Sequence, residues 1–174
     1  MNRLHKRLRT QQELDAVQAS WYVDSDNLLR WKRKPHKGQI DDLVGLSNGN
    51  TKHRTCVLYI DKKCVSFVES NVIWFLRSGE WAESVVEHKD GNPQNNAIDN
   101  LRLATQSENL CNTAIRSDNK TGVKGIYARY GSWSVQLWKD KKCYNFGVYK
   151  CFETAKIVRK LAEQRFHGEF ARQG

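Results

Sequence analysis

The sequence lacks paired cysteines, long apolar runs and an excess of acidic residues. Its five cysteines contain no Cys-x-x-Cys pair and are odd in number, so neither a structural zinc site nor a disulfide framework is expected. No segment approaches the roughly 18 consecutive apolar residues that a membrane helix needs. The basic N-terminus is not followed by the apolar region of a signal peptide. We therefore expect a cytoplasmic protein with reduced thiols and no membrane partner.

The scarcity of acidic residues leaves the chain strongly basic. The 174 residues include 29 Lys and Arg against 19 Asp and Glu, a formal net charge of +10. Residues 116–174 hold 13 of the basic and 5 of the acidic residues, a net +8. Such clustering favours a polyanionic partner; a basic surface without a specific partner is the alternative. A hydrophobic content of 39% is sufficient for one or two small folded domains.

The first eighty residues predict a small scaffold of helices and strands. Its helices are indicated by capping residues and its strands by β-prone runs that flank polar turns. The predicted elements are a helix over 11–19 with Thr10 and Glu13 as a capping box, a strand over 28–32, a hairpin over 55–69 with its turn at 61–63, and a helix in 70–79 with Ser70 as N-cap and Gly79 as its stop.

The segment SVVEHKDGNPQNNAIDNLRLATQSEN, residues 84–109, concentrates polar side chains where secondary structure changes. We predict a strand that ends at Glu87 and His88, a long loop, and a second strand over 101–104. Thr105 and Glu108 then form a capping box, which places Asn109 in the first turn of a helix.

These positions suit a metal-dependent hydrolytic site. A carboxylate from Glu87 and an amide oxygen from Asn109 are hard ligands of the kind that Mg²⁺ accepts. His88, next to the carboxylate, can take a proton from an attacking water. The alternative is a structural histidine beside an asparagine-rich turn.

The same segment resembles the HNH nuclease motif, the ββα-metal fold of many phage and intron-associated homing endonucleases. The resemblance covers residues 22–112, and its specific part is 85–109. It implies that Glu87 and Asn109 bind one divalent metal ion, Mg²⁺ or Mn²⁺, that His88 is the general base, and that Asn100 braces the loop and orients His88. Many relatives carry a His-Arg pair where this chain has Ser70-Asn71.

The basic C-terminal block predicts three strands and a helix. Residues 114–121 are polar and predict a linker between a nuclease domain at 1–113 and a second domain at 122–174. The landmarks GVKGI, GSW, FGVY, FETAKIV and HGEFA, within 121–171, resemble the apetala-two (ethylene-response-factor type) DNA-binding domain. That resemblance implies a three-stranded antiparallel sheet that enters the DNA major groove with one helix on its back, so the whole chain is expected to be α+β.

Period-two alternation assigns a DNA face to this sheet. The candidates are Lys124, Arg129, Gln136, Trp138 and Asn145, whose side-chain types read base edges or bind phosphate. For the helix at 152–167, helical spacing predicts a buried stripe. Its members are Ala155, Val158, Leu161, Ala162 and Phe166, while Lys156, Arg159, Lys160 and Arg165 are expected to face water.

Together these features predict an HNH endonuclease that hydrolyses double-stranded DNA and is targeted by its C-terminal domain. It would act in the cytoplasm of a bacterial host if a phage encodes it, and no small-molecule cofactor is expected. A sequence-selective DNA-binding regulator with an inactive nuclease unit is the alternative. An RNA-binding protein is a third interpretation, because charge does not distinguish the two nucleic acids. The sequence carries no signal for an oligomeric state.

Overall fold

The computed structural model describes residues 8–44, 46–47, 53–115 and 117–170. It mixes helices with small antiparallel sheets, which confirms the α+β class. The chain divides into two compact units, Met1–Ala104 and Thr105–Gly174. No helix in the described part of the chain is long and apolar enough to cross a membrane.

The first unit contains the scaffold and the strands of the predicted nuclease motif. Its strands pair in antiparallel fashion as β1–β2, β3–β4–β5 and β6–β7. A short 3-10 turn, Ile98–Asn100, leads into the last strand. The elements are α1 (Gln11–Ser20), β1 (Trp21–Val23), β2 (Leu29–Trp31), β3 (Leu46–Ser47), β4 (Arg54–Ile60), β5 (Lys63–Val68), α2 (Glu69–Ser78), β6 (Val85–His88) and β7 (Leu101–Ala104).

Helix α1 begins at the predicted capping box. The Thr10 hydroxyl accepts a hydrogen bond from the Glu13 amide at 3.2 Å, and the Glu13 carboxylate accepts one from the Thr10 amide at 3.1 Å. These bonds satisfy amides that have no partner within the first turn of a helix. The predicted helix at 11–19 is confirmed.

The hairpin of β4 and β5 turns at Asp61 and Lys62. Both residues have positive φ, 49° and 61°, as in the two-residue turns whose twist matches that of a hairpin. Along β4, Cys56 and Leu58 are buried while Tyr59 is 76% exposed. The predicted hairpin is confirmed, although Lys63 belongs to β5 rather than to the turn.

The N-cap of helix α2 lies two residues earlier than predicted. The N-cap position is Val68, without a side-chain cap bond, so the prediction that Ser70 caps this helix is wrong. The reason is that β5 runs directly into the helix, which places Ser70 in the first turn with its side chain buried. Gly79 ends the helix with a φ of 83° and an N–H donated to the Phe75 carbonyl, as predicted.

Aromatic and aliphatic side chains fill the core of the first unit. Trp21 lies edge-to-face with Trp31 and Phe67, at centroid distances of 5.7 and 5.8 Å. Val86 of β6 and Leu101 of β7 belong to the same core. This packing anchors the β6–β7 hairpin on the scaffold.

The second unit contains α3 (Gln106–Cys111), β8 (Ile126–Arg129), β9 (Ser132–Lys139), β10 (Lys142–Tyr149) and α4 (Phe152–His167). Within its described residues, the strands form one antiparallel sheet in the order β10–β9–β8. The predicted succession of three strands and a helix is confirmed. Helix α3 belongs to this unit, so the unit begins at Thr105, before the predicted linker at 114–121. The Asp140 amide donates to the Ser107 hydroxyl at 3.0 Å, which ties α3 to the turn between β9 and β10.

Helix α4 buries a different stripe from the one predicted. Ala155 and Ala162 are buried as expected, but Leu161 is 60% exposed and Arg159 is only 5% exposed. The Arg159 Nε donates to the Lys124 carbonyl oxygen at 2.7 Å, and its Nη2 lies 3.0 Å from a Glu163 carboxylate oxygen. The predictions for Leu161 and Arg159 are therefore wrong: the inner face of α4 includes Arg159, whose hydrogen bond and ion pair compensate for its burial, and Leu161 lies about 200° around the helix from it.

Candidate active site

The β6–β7 hairpin carries the pair of residues predicted to do the chemistry. Glu87 lies opposite Arg102, and His88 lies opposite Leu101. The two side chains are 3% and 5% exposed. The prediction that Glu87 and His88 end a strand is confirmed, as is the partner strand at 101–104.

Asn100 closes the loop between these strands. Its Nδ2 donates to the Asp90 carboxylate at 3.1 Å and to the Asn95 carbonyl at 2.7 Å, and its Oδ1 accepts from the Asp90 amide at 3.2 Å. Burial raises the pKa of Asp90, but hydrogen bonds from Asn92, Asn95 and Asn100 outweigh it, so that pKa lies below its ordinary value. The loop at 89–100 is thus held by a carboxylate and amides that sequence reasoning treated as turn residues.

A different asparagine, Asn96, forms a hydrogen bond with the His88 side chain. Its Oδ1 lies 2.8 Å from the His88 Nε2, and its Nδ2 donates to the Glu69 carboxylate at 3.0 Å. Sequence reasoning missed Asn96, because the segment NPQNN offers four similar side-chain amides and no pattern that singles out one of them. The predicted orientation of His88 by Asn100 stays a prediction, since the hydrogen bonds of Asn100 described above lie within the loop.

Glu69 and Arg54 extend this contact into the scaffold. The Arg54 Nε lies 3.2 Å from the same Glu69 carboxylate oxygen that accepts from Asn96. Glu69 is 1% exposed, and this burial raises its pKa, against the opposing influence of Arg54 and Asn96. A polar chain therefore runs from the half-buried Arg54 of β4 through the buried Glu69 at the start of α2 to His88.

Glu87 divides its two carboxylate oxygens between different environments. Oε1 accepts from the Arg102 Nη2 at 2.8 Å, while Oε2 is buried and has no hydrogen-bond partner among the described residues. A buried oxygen of this kind suits a cation, because an unsatisfied acceptor away from water is unfavourable. Within the described part of the chain, no group of three His, Cys, Asp or Glu residues could hold a metal ion by itself.

Asn109, the second predicted ligand, lies in the first turn of α3. The predicted capping box is confirmed: the Thr105 hydroxyl accepts from the Glu108 amide at 3.2 Å, and the Glu108 carboxylate accepts from the Thr105 amide at 2.7 Å. These hydrogen bonds lower the pKa of Glu108. Asn109 belongs to the second compact unit, and its use as a ligand together with Glu87 stays a prediction.

Ser70 and Asn71 occupy the place where the resemblance leads one to expect a His-Arg pair. Both are buried in the first turn of α2, at 2% and 1% exposure. The Ser70 hydroxyl and the Asn71 Oδ1 have no hydrogen-bond partner within the described residues. This end of α2 therefore presents neutral polar atoms directly after the carboxylate of Glu69.

A second imidazole lies beside His88. The rings of His53 and His88 are tilted by 34° with their centroids 6.0 Å apart. Sequence reasoning missed His53, because it precedes β4 and is remote from the motif along the chain. The pair adds a titratable group to the surroundings of the candidate base.

Four predicted DNA-contacting residues share one face of the second unit's sheet. Gln136 pairs with Asn145, and strand alternation places Arg129 and Trp138 on that same side. Val135, between Gln136 and Ser134 in the chain, points the other way into the core with Ala155 of α4. Trp138 is 60% exposed, so the outer face presents an aromatic ring beside polar and basic groups.

Lys124, the fifth candidate, is not on that face. It precedes β8, and its Nζ donates to the Cys111 carbonyl at 3.0 Å and also to the Thr113 carbonyl. An ammonium group at the end of α3 satisfies carbonyls that have no partner within the helix. Its expected place on the DNA face is therefore not the observed one.

Two exposed tyrosines near the outer face, one on β8 and one in the turn after it, were not predicted. Tyr127 of β8 is 50% exposed and lies opposite Ser134, on the side of Arg129. Tyr130, in the turn between β8 and β9, is fully exposed. Tyr127 lies two positions before Arg129 in β8, so strand alternation alone could have placed it on the same face.

The motif segment matches a known family. Residues 70–111 match the family model described as HNH endonuclease, and the chain belongs to the HNH endonuclease family. Protein 3.8 of Escherichia phage T7 is 35% identical over 94 residues, which is 50% of this chain and 73% of that relative. No significant match was found among solved structures.

Proposed function

We propose that this chain is a DNA endonuclease of the homing type that uses one divalent metal ion, Mg²⁺ or Mn²⁺, and a histidine base. The observation that carries the proposal is the buried Glu87 Oε2, which has no described hydrogen-bond partner and belongs to the residue that directly precedes His88 in β6. Membership of the HNH endonuclease family supports nuclease chemistry. The phage relative supports action in the cytoplasm of a bacterial host.

Each residue then has a separate part in hydrolysis. Glu87 and Asn109 would hold the metal ion, which when bound stabilises negative charge on the phosphate and on the departing 3′ oxygen. His88 takes a proton from the attacking water. Asn100 holds the loop at 89–100 closed through its bonds to Asp90 and Asn95, so that the residues after β6 keep their positions.

The second unit supplies affinity for double-stranded DNA in this proposal. Its net charge of +8 over residues 116–174 favours phosphate contacts. The outer face of the sheet offers Arg129, Gln136 and Asn145, whose side chains can bind guanine or adenine edges in the major groove. An apetala-two type domain would use the same face, which makes residues 122–174 the proposed targeting domain and residues 1–113 the proposed nuclease domain.

Plasmid cleavage by the purified full chain tests the role of His88. With Mg²⁺ present, His88→Ala should lower the cleavage rate by about 10²- to 10⁴-fold, the range of general acid-base catalysis. His36→Ala is the matched control, because His36 is an exposed histidine in the loop after β2, and it should cut at the wild-type rate. Full cutting by His88→Ala would rule out His88 as the base.

A second candidate is a sequence-selective DNA-binding regulator whose nuclease unit is inactive. It is favoured by Ser70 and Asn71, which stand where many relatives carry a His-Arg pair. Selective binding of duplex DNA without cleavage in either Mg²⁺ or Mn²⁺ would support this candidate over the nuclease.

A further inference from the structure

His88 is held by a chain of polar side chains that lies outside the predicted catalytic set. Asn96 is 8% exposed and bridges His88 to Glu69, with bonds of 2.8 Å and 3.0 Å. Arg54 completes the chain at 3.2 Å from Glu69. These bonds join the loop, the first turn of α2 and the start of β4 to the imidazole ring.

The chemistry of the partners fixes which way round the Asn96 amide lies. The Glu69 carboxylate, which pairs with Arg54, accepts hydrogen bonds, so it must face the Asn96 NH₂ group. The carbonyl oxygen of Asn96 then faces the imidazole and can only accept. A neutral His88 must therefore donate from Nε2, which leaves the lone pair on Nδ1.

We propose that Asn96, backed by Glu69 and Arg54, is a positioning residue that keeps His88 in the Nε2–H tautomer, in which Nδ1 is the ring nitrogen that carries the lone pair for the proton of the attacking water. This role differs from that of Asn100, whose described contacts close the loop. The inference rests on the proposed function for its catalytic purpose, whereas the tautomer of His88 can be measured without any cleavage.

The bond geometry sets the expected size of the effect. Asn96→Ala removes the acceptor of His88 and a donor to Glu69, so the ring can rotate and exchange tautomers. Loss of a group that orients a functional histidine typically lowers activity by about 10- to 100-fold. We expect that fall in the single-turnover cleavage rate at saturating protein, with the DNA dissociation constant measured without divalent metal unchanged.

The test combines a reciprocal exchange with a direct view of the ring. In the double variant Glu69→Gln with Asn96→Asp, the amide introduced at position 69 can donate to the carboxylate introduced at position 96 and accept from Arg54. That carboxylate in turn accepts from His88, so the double variant should recover most of the rate that Asn96→Ala loses. Asn92→Ala is the matched control. It also truncates an asparagine of the loop, but the one described contact of that side chain is the hydrogen bond that it accepts from the Gln94 amide.

Nitrogen-15 NMR of the full wild-type chain, at a pH where His88 is neutral, should show the proton on Nε2. Asn96→Ala should shift these signals towards a mixture of tautomers. Two results would overturn the positioning role without contradicting the proposed nuclease function. One is a proton on Nδ1 of His88 in the wild-type chain. The other is an Asn96→Ala variant that cuts at the wild-type rate and has unchanged imidazole signals. If the wild-type chain cuts no DNA in Mg²⁺ or Mn²⁺, the proposed nuclease function is wrong, and Asn96 then has no catalytic role either.

Discussion

Gly125 makes a close backbone approach on which the proposed DNA-binding unit depends. It directly precedes β8 with a φ of +69°, and its carbonyl accepts the Gln136 amide at 2.8 Å. A Cβ at this position would lie 2.1 Å from the Gln136 carbonyl oxygen and 2.6 Å from the Arg159 Nε. Gly125→Ala therefore has to displace both strand β9 and the buried arginine of α4.

Two contributions set the magnitude of the loss. A left-handed conformation costs an L-residue about 1–2 kcal/mol relative to glycine, and forcing extra volume into a packed interior costs a further ~1–3 kcal/mol. Gly131→Ala separates them, because Gly131 has a φ of +71° but no atom within 4 Å of the place that a Cβ would take. We expect Gly125→Ala to lower the free energy of unfolding by about 2–5 kcal/mol and Gly131→Ala by only the first contribution.

Urea unfolding of the full chain measures this difference, with amide hydrogen exchange to locate it. The Gln136 amide, which bonds to Gly125, should lose protection in Gly125→Ala and keep most of it in Gly131→Ala, while amides of β4 and β5 keep theirs in both. DNA affinity should fall in parallel with the stability of the second unit. Equal losses of stability in the two variants would refute the reasoning, because of the two glycines only Gly125 has a backbone atom, the Gln136 carbonyl oxygen, where a Cβ would lie.

Two further predictions concern surface groups. Arg129→Ala and Trp138→Ala should each weaken duplex binding without lowering the unfolding midpoint, since both side chains are exposed. Anisotropy titrations should show that Arg129→Ala weakens binding more to duplexes that contain guanine than to duplexes of A·T pairs alone. Equal weakening on both kinds of duplex would exclude a guanine contact. Hydrogen bonds from Arg30 and from the Leu28 and Asp26 amides lower the pKa of Asp24, so its stabilisation is present above the ordinary carboxyl pKa and is lost as the pH falls towards the lowered value. Asp24→Asn should therefore lower the urea midpoint at pH 7 and leave it nearly unchanged near pH 2, and an equal drop at both values would contradict this linkage.

Local signals in the sequence predicted local structure. The capping boxes at Thr10 and Thr105 need only a side chain and an amide three residues apart, so the helix starts they indicate are confirmed. Ser70 fails as a cap because the strand before it leaves no room for a turn, and that continuity depends on the hairpin rather than on the serine. A cap residue therefore predicts the start of a helix only where the chain before it can turn, and not where a strand runs directly into the helix.

Non-local contacts explain what the sequence could not predict. Asn96 and Glu69 are 27 positions apart, and their bond exists because the loop folds over the first turn of α2. Arg159 is buried because a carbonyl 35 positions away accepts its Nε, which no hydrophobic scale anticipates. In both cases a polar side chain is buried because its hydrogen-bond partners are buried beside it. The position of the residue in the sequence does not predict those partners.

The pairing of Glu87 with Arg102 links the fold to the choice between the two candidate functions. A lone buried carboxylate would destabilise the hairpin, and the antiparallel register supplies a guanidinium to one of its oxygens. The other oxygen is left without a described partner, so the arginine compensates part of the buried charge and leaves one coordination position open. A metal ion at Oε2 would complete that compensation, whereas a purely structural ion pair would gain from engaging both oxygens in a bidentate contact. The one-sided geometry of Arg102 therefore favours the nuclease over the inactive regulator.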